Sequence, residues 1–154
     1  MSSYGIEFIK LCQKNRYPLL FIDEISDLVP GVSVKAKKNF TYNEWFFPSH
    51  FEGNPNVPGF VQLESLTQAF IMTFLTKDEF RGKETAFIAI ENAKFRRKII
   101  PGETLIISAV LESLKFGIAI GRAEGSVDGE ATCSVKLTIA IPEEITKLTP
   151  RSKS

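Results

Sequence analysis

The sequence predicts an α+β fold in which an antiparallel sheet of about six strands wraps around one buried helix. Three observations predict it. The segment from Gly59 to Leu75 carries apolar side chains around nearly its whole circumference, as is typical of a helix buried in a core. Four strand-like segments follow this helix, and two more precede it. The length of 154 residues fits one domain, over residues 1–154, with a single core.

The chain before the helix divides into four segments. The pattern predicts a short helix over Ile6–Leu11 within the N-terminal residues 1–16, strands over Tyr17–Leu28 and Val32–Phe40, and a long loop over Thr41–Pro58. Pro30-Gly31 is a turn signal, so the two strands form a candidate hairpin. Loops as long as the predicted loop over Thr41–Pro58 are usually functional in a compact domain.

The chain after the helix alternates between strand patterns and turns. Pro58 suits the entrance of the helix and Gly82 its exit. The predicted strands are Thr85–Phe95, Glu103–Ser113, Phe116–Ser126 and Glu130–Ile141. Asp128-Gly129 is a strong signal for a two-residue hairpin turn. The residues from Pro142 onward, including the polar tail 143–154, are expected to fray.

Composition excludes several classes of partner. The 19 basic and 18 acidic residues give a net charge of +1, which offers no general reason to expect nucleic acid or a membrane. No stretch approaches the run of about 18 apolar residues that a membrane span needs, and residues 1–10 do not resemble a signal peptide. Cys12 and Cys133 have no metal or redox spacing. We therefore expect a cytoplasmic protein with reduced, packed thiols and with neither metal nor cofactor.

Two residues are candidates for acid–base chemistry. His50 is the single histidine and lies in the long loop, where a structural role satisfied by backbone groups is the alternative. Glu64 lies about a turn and a half into the apolar helix, where an unpaired acid is unfavourable. A favourable interaction with the helix dipole, worth roughly 0.3–1 kcal/mol, is the alternative for Glu64. Gln68 follows one turn later, and the polar stripe that results suits a buried polar site.

Short motifs in a fixed order run through most of the chain, from Arg16 to Ile141. The opening motifs are Tyr17 to Asp23 and Pro30-Gly31. The segment from His50 to Glu64 is the specific part of the series, and the central motifs are Asn43-Glu44, Phe46-Phe47, His50-Phe51, Gly53-Asn54-Pro55, Pro58-Gly59, Glu64 and Gln68. The closing motifs are Phe95-Arg96-Arg97-Lys98, Pro101-Gly102-Glu103 and Val127-Asp128-Gly129. In order and spacing, this series resembles the bacterial 3-hydroxyacyl-[acyl-carrier-protein] dehydratases of fatty-acid synthesis.

The resemblance implies a hotdog fold, the name for a sheet wrapped around a central helix. It also implies a homodimer whose active sites form between subunits, with His50 and Glu64 contributed by different subunits. A trimer of dimers is left open as a larger assembly. The implied reaction converts a (3R)-3-hydroxyacyl group on acyl carrier protein to its trans-2-enoyl form, although coenzyme A stays open as the carrier.

The side chains fit this reaction. Neutral imidazole is a suitable base near physiological pH, so His50 would take the proton next to the thioester carbonyl. Glu64, through a bound water, would help protonate the departing 3-hydroxyl. The N–H of Gly59, at the helix start after Pro58, is the candidate donor to the enolate oxygen. The resemblance adds Phe51, Pro58 and Gln68 to the substrate-binding set.

A basic run near the expected tunnel mouth is the candidate contact for the carrier. Acyl carrier proteins are acidic, and strand alternation places Lys94, Arg96 and Lys98 on one face with Arg97 on the other. A solvated strand end explains the same residues equally well. Glu64 itself favours plain dehydration, because the related dehydratase–isomerase branch carries aspartate at that position. The reverse Asp–His order of another hydratase branch is absent.

Three departures and two alternative functions stay open. Trp45, Glu52 and Val57 stand where the family usually has proline, proline and methionine. They put in doubt whether the chain is the housekeeping enzyme or an accessory relative. A hotdog thioesterase would hydrolyse acyl thioesters without needing His50 and Glu64 together. A non-catalytic acyl-carrier binding module would be expected to have lost one of them, and both are present.

Overall fold

The computed structural model describes residues 2–148 and shows seven strands and three α-helices over that range. The strands are β1 (Ser3–Tyr4), β2 (Glu24–Val29), β3 (Ser33–Asn39), β4 (Ala86–Phe95), β5 (Thr104–Lys115), β6 (Ile118–Val127) and β7 (Glu130–Ala140). The helices are α1 (Ile6–Cys12), α2 (Gly59–Leu75) and α3 (Pro142–Leu148). A short 3₁₀ turn, Phe47–Ser49, lies inside the predicted long loop.

All seven strands form one antiparallel sheet in the order β1-β2-β3-β5-β6-β7-β4. Helix α2 packs against the concave face formed by β3, β5, β6 and β7, and most of its side chains are buried. Because α2 is the only long helix of residues 2–148, it supplies the centre of the core. The predicted α+β hotdog fold is confirmed.

The sheet approaches α2 most closely at Gly121 of β6. A Cβ atom there would lie 2.2 Å from the carbonyl oxygen of Val110 and 2.4 Å from the ring of Phe70. Phe70 is fully buried on α2. The missing side chain therefore lets an aromatic ring of the helix rest directly on the sheet backbone.

The predicted strand over Tyr17–Leu28 begins seven residues later, at Glu24. Its first half begins with a turn at residues 17–19, and the backbone groups of Leu19 and Phe21 bond to a side chain instead of a neighbouring strand. The amide of Gln68 accepts from the N–H of Phe21 at 2.8 Å and donates to the carbonyl of Leu19 at 2.6 Å. These bonds satisfy the backbone groups that a strand ladder would otherwise pair.

Two further predictions need correction. The sheet has seven strands because Ser3–Tyr4 pairs with β2, a pairing too short to leave a sequence pattern. The tail does not fray from Pro142: residues 142–148 form α3, and Lys83 forms an ion pair with Glu144 of this helix. The N–H of Ile141 also donates to the carbonyl of Gly117 at 2.7 Å, which fixes the start of the helix. Residues 149–154 of the predicted tail lie outside the described residues.

Both cysteines are free and buried, as predicted. Burial raises the pKa of the Cys12 thiol and that of the Cys133 thiol, which keeps both protonated and unreactive. Among residues 2–148, no helix combines the length and the apolar character that crossing a bilayer requires.

Candidate active site

Glu64 and Gln68 form a polar stripe on α2, one turn apart. Gln68 is fully buried, and its Nε2 donates a hydrogen bond of 3.0 Å to Oε1 of Glu64. The same amide bonds to the backbone of Leu19 and Phe21. Its nitrogen therefore donates to two acceptors and its oxygen accepts from one donor, all within the chain. Gln68 thus connects the carboxyl of Glu64 to the extended segment that precedes β2.

Burial raises the pKa of Glu64 above the usual range of a glutamate, and the hydrogen bond from Gln68 partly opposes this shift. Removing a carboxyl from water disfavours its charged form. A larger share of Glu64 is therefore protonated near neutral pH than of an exposed glutamate. A carboxyl in this state is suited to donate a proton.

A cavity of about 390 Å³ runs beside Glu64 along one face of α2. The α2 side chains that line it are Glu64, Thr67, Ile71 and Leu75, which recur every three or four residues. Its opposite wall includes Ala86 and Phe87, the first residues of β4. The volume is in the range of small-molecule sites, and the α2 face that lines the cavity changes from polar at Glu64 and Thr67 to apolar at Ile71 and Leu75.

His50 lies in the loop before α2, directly after the 3₁₀ turn. Its Nδ1 lies 2.9 Å from the carbonyl oxygen of Asn56, and the N–H of Asn56 donates back to the carbonyl of His50 at 3.0 Å. A carbonyl can only accept, so this contact favours the neutral tautomer in which Nδ1 carries the proton and Nε2 has a free lone pair. The loop is further fixed by an ion pair between Lys38 of β3 and Glu44. The imidazole is thereby oriented as a base.

Pro58 and Gly59, predicted to take part in the site, lie at the start of α2. Pro58 is buried at the N-cap position and its carbonyl accepts from Val61 at 3.0 Å. The N–H of Gly59 belongs to the first helical turn, where backbone donors have no partner inside the helix. A Cβ atom on Gly59 would lie 3.3 Å from the ring of Phe95, so glycine allows this close contact at the end of β4.

The two predicted catalytic residues do not meet within one chain. His50 is absent from the lining of the cavity that contains Glu64, and no hydrogen bond joins the two side chains. Phe51 stacks on His50 with the ring centres 4.3 Å apart, and its side chain is exposed. The structure therefore places Glu64 with Gln68, and His50 with Phe51, in two separate parts of the chain.

The predicted basic residues are exposed at the end of β4 and just beyond it. Arg96 donates to Ser134 at 2.9 Å, and Lys98 donates to Asn54 in the His50 loop at 3.2 Å. Neither these two nor Lys94 has a carboxylate within ion-pair distance among residues 2–148. Arg97 differs, because Glu103 and Glu130 neutralise it and raise its pKa further.

Sequence reasoning missed two residues of the site. Asn15 donates from Nδ2 to Oε1 of Glu64 at 3.4 Å, across 49 positions of sequence. Asn56 orients His50 through its backbone. A backbone contact leaves no mark on residue type, and nothing near Asn15 in the sequence signals a helix that begins at residue 59.

Comparison with known proteins places this chain in a family. The model of the FabA-like domain matches residues 14–136. A 3-hydroxyacyl-[acyl-carrier-protein] dehydratase FabZ from Ligilactobacillus salivarius is 40% identical over 133 residues, which are 86% of this chain and 95% of that protein. The protein of the same description from Latilactobacillus sakei is 43% identical over 127 residues, which are 82% of this chain and 91% of that protein.

Solved structures agree on the fold. The dehydratase heterocomplex ApeI:P from Xenorhabdus doucetiae superposes with a TM-score of 0.75 at 14% identity, covering 93% of this chain and 97% of that one. The PaaI protein of Escherichia coli gives a TM-score of 0.60 at 12% identity, covering 75% and 80%. At these identities the likeness concerns the fold alone. The family model and the curated relatives, which span most of the chain, show that this protein belongs to the FabA-like family.

Proposed function

We propose that the protein removes water from a (3R)-3-hydroxyacyl group carried on acyl carrier protein and forms the trans-2-enoyl thioester. It is a hydro-lyase of fatty-acid biosynthesis, since relatives of that description match most of its length. The observation that supports the site assignment is the pair of half-sites: an oriented imidazole at His50 and a half-buried carboxyl of raised pKa at Glu64. The reaction needs one base and one acid, and these are the two groups supplied.

A homodimer completes this site. Strand β4 is the last strand of the sheet, paired only with β7, and nearly all of its residues are exposed. Phe87, Ile88, Ile90 and Phe95 are each between 45% and 52% exposed. An unpaired edge that carries large apolar side chains is unstable in water and suited to pairing with another chain. A second copy of the same strand is the simplest partner.

Antiparallel pairing of two β4 edges would bring the half-sites together. The His50 loop lies near the carboxyl end of β4, because Lys98, just beyond that strand, bonds to Asn54 and Phe95 lies against Gly59 at the start of α2. The cavity of Glu64 opens at the amino end, beside Ala86 and Phe87. In an antiparallel pair, the carboxyl end of one strand lies beside the amino end of the other. The His50 loop of one subunit would then face the Glu64 cavity of its partner, twice in each dimer.

The chemistry follows from these positions. Nε2 of His50 takes the proton from the carbon next to the thioester carbonyl, and the negative charge that develops on the carbonyl oxygen is stabilised by the N–H of Gly59. The electron pair then forms the double bond as the C–O bond to the 3-hydroxyl breaks. Glu64 gives its proton to the leaving oxygen, and water departs. Proton transfer from the imidazolium to the carboxylate restores both groups.

The exposed side chains of Lys94, Arg96 and Lys98 are suited to receive the acidic carrier protein. None of the three is neutralised by a carboxylate within residues 2–148, and Lys98 bonds to Asn54 of the His50 loop. An uncompensated positive surface beside the site raises the rate of encounter with an acidic partner, and high salt weakens the effect. Carrier binding and catalysis would thus share one end of β4.

The test is turnover of 3-hydroxybutyryl-acyl carrier protein by the intact chain. Enoyl absorbance should appear, and His50→Ala should lower kcat by about 10²–10⁴-fold, the usual contribution of one acid–base group. Tyr42→Ala is the control, because Tyr42 is an exposed side chain of the same loop. Release of free thiol without enoyl product would show a thioesterase. Carrier binding without either reaction would show a binding module, and both results overturn the proposal.

A further inference from the structure

The chain between α1 and β2 lies along the polar stripe of α2. Nδ2 of Asn15 donates to Oε1 of Glu64 at 3.4 Å, and four residues later Leu19 accepts from Gln68 at 2.6 Å. Asn15 also lines the cavity that contains Glu64. The N-terminal part of the protein therefore forms one wall of the candidate active site.

Arg16 holds this wall in place. Its Nη1 donates to the carbonyls of Gln13 and Asn15, each at 2.7 Å, and its Nη2 donates to the carbonyl of Lys10 at 2.8 Å. Three bonds from one guanidinium satisfy free carbonyls at and beyond the end of α1. The backbone that carries the Asn15 side chain is thus fixed from both sides by its neighbours.

The two donors to Glu64 share one of its oxygens. Gln68 and Asn15 both donate to Oε1, while no donor among residues 2–148 bonds to Oε2. A carboxyl that is hydrogen-bonded at one oxygen has a defined orientation. Its other oxygen stays available to interact with a substrate. The bond from Asn15 is longer than the usual 2.9–3.0 Å, which is common for catalytic groups before substrate tightens the site.

We propose that Asn15 is a positioning residue for Glu64, holding Oε1 together with Gln68 so that Oε2 faces the departing hydroxyl. The proposal rests on the acid role of Glu64 proposed above. It makes the N-terminal segment a working part of the site, beyond the central motifs between His50 and Gln68. A donor to the charged form of a carboxyl also sets the pH at which that carboxyl ionises.

Other charged groups around the cavity are compensated. Lys14, Lys83 and Glu84 line it. Lys14 pairs with Glu84 at 3.7 Å, and Lys83 pairs with Glu143 and Glu144 of α3. These pairs are unchanged when Asn15 is replaced by a neutral residue. In the proposed dimer, the remaining titratable group that faces Glu64 is His50 of the partner subunit.

The test compares Asn15→Ala and Asn15→Asp with the unaltered chain in kcat, KM and pH profile on 3-hydroxybutyryl-acyl carrier protein. Asn15→Ala should lower kcat about tenfold, the value of one hydrogen bond to a charged group, with little change in KM. Loss of the donor disfavours the carboxylate, so the alkaline limb of the kcat profile should move to higher pH. Asn15→Asp has the same shape but adds negative charge, and should move that limb further.

The control is Asn39→Ala, which removes a surface amide that accepts from Thr104 at 3.0 Å and is remote from Glu64 in the hydrogen-bond network. It should leave kcat and the pH profile unchanged. A purely structural role for Asn15 predicts lower thermal stability in the alanine variant and an unmoved alkaline limb, which would overturn the inference. An inactive unaltered chain would instead overturn the proposed function, so the two failures are distinguishable.

Discussion

At the scale of single residues, the surroundings of Glu64 adapt a half-buried carboxyl to act as an acid. An ionised carboxyl in an apolar helix is unfavourable unless donors surround it. Gln68 supplies one strong donor, and burial still leaves the pKa of Glu64 raised. The balance favours a carboxyl that holds a proton and can release it to a leaving group, which an exposed glutamate would do poorly near neutral pH.

Among the glycines, Gly121 is the one where an added side chain would make the shortest contact. An added methyl group would lie 2.2 Å from the carbonyl oxygen of Val110 and 2.4 Å from the ring of Phe70. The first of these neighbours is backbone and cannot turn aside. We expect Gly121→Ala to lower the free energy of unfolding by about 1–3 kcal/mol or more, as measured by denaturant titration.

Gly5→Ala is the matched control, because nothing lies within 4 Å of a Cβ atom at that position. Gly5 is the N-cap of α1, where glycine is preferred to alanine, so we expect a loss of about 0.5–1 kcal/mol, smaller than the loss at Gly121. Equal stability of the two variants would contradict the close approach of α2 to β6.

At the scale of elements, β4 differs from every other long strand. Strands β5, β6 and β7 alternate buried and exposed residues because α2 covers one of their faces. β4 lies beyond the cover of α2 and is exposed along its length. An edge strand is normally short or charged. The long apolar β4 is therefore explained by a partner that pairs with it.

Charges on β4 should separate the subunits. We expect the double variant Ile88→Asp, Ile90→Asp to have the mass of a monomer, 17.2 kDa, by light scattering. We also expect it to lose dehydration activity. Burying a carboxylate in an apolar interface is unfavourable. Because the dimer is symmetric, the two substitutions in each chain place four carboxylates at the interface. The control Val29→Asp, Val32→Asp changes side chains that are each 50% exposed at another turn of the sheet. A dimeric, active β4 variant would contradict this interface.

At the scale of the whole molecule, a shared site predicts complementation between inactive subunits. In a heterodimer of His50→Ala and Glu64→Gln chains, one site has lost both residues and the other has kept both. We expect this heterodimer, isolated with two different affinity tags, to recover about half of the normal kcat per dimer, although each parent is nearly inactive.

The reciprocal heterodimer pairs an unaltered chain with a chain that carries both substitutions. Shared sites leave each of its two sites with one missing residue, so we expect almost no turnover. Sites contained within one chain reverse both outcomes, since the unaltered chain would then keep a complete site. The two measurements together decide how His50 and Glu64 meet.

The helices and strands whose sequence pattern is local could be predicted from the residues alone. Helix α2 has the predicted bounds, Gly59–Leu75, because an apolar circumference and Pro58 at the entrance specify a buried helix without reference to other segments. The strands after it follow alternation and turn residues. The motifs that run from Arg16 to Ile141, with their specific part between His50 and Glu64, identified the family, which the comparisons confirm. The roles of the individual site residues stay predictions.

Tertiary structure decided what depends on partners far along the chain. The segment 17–23 has strand-forming side chains, but it starts with a turn and its Leu19 and Phe21 bond to Gln68, so β2 starts at Glu24. α3 is docked by an ion pair from Lys83, and Asn15 reaches Glu64 across 49 positions. Hydrogen bonds and ion pairs of this kind form only once the helix and sheet have set the distances. Local propensity is silent about them.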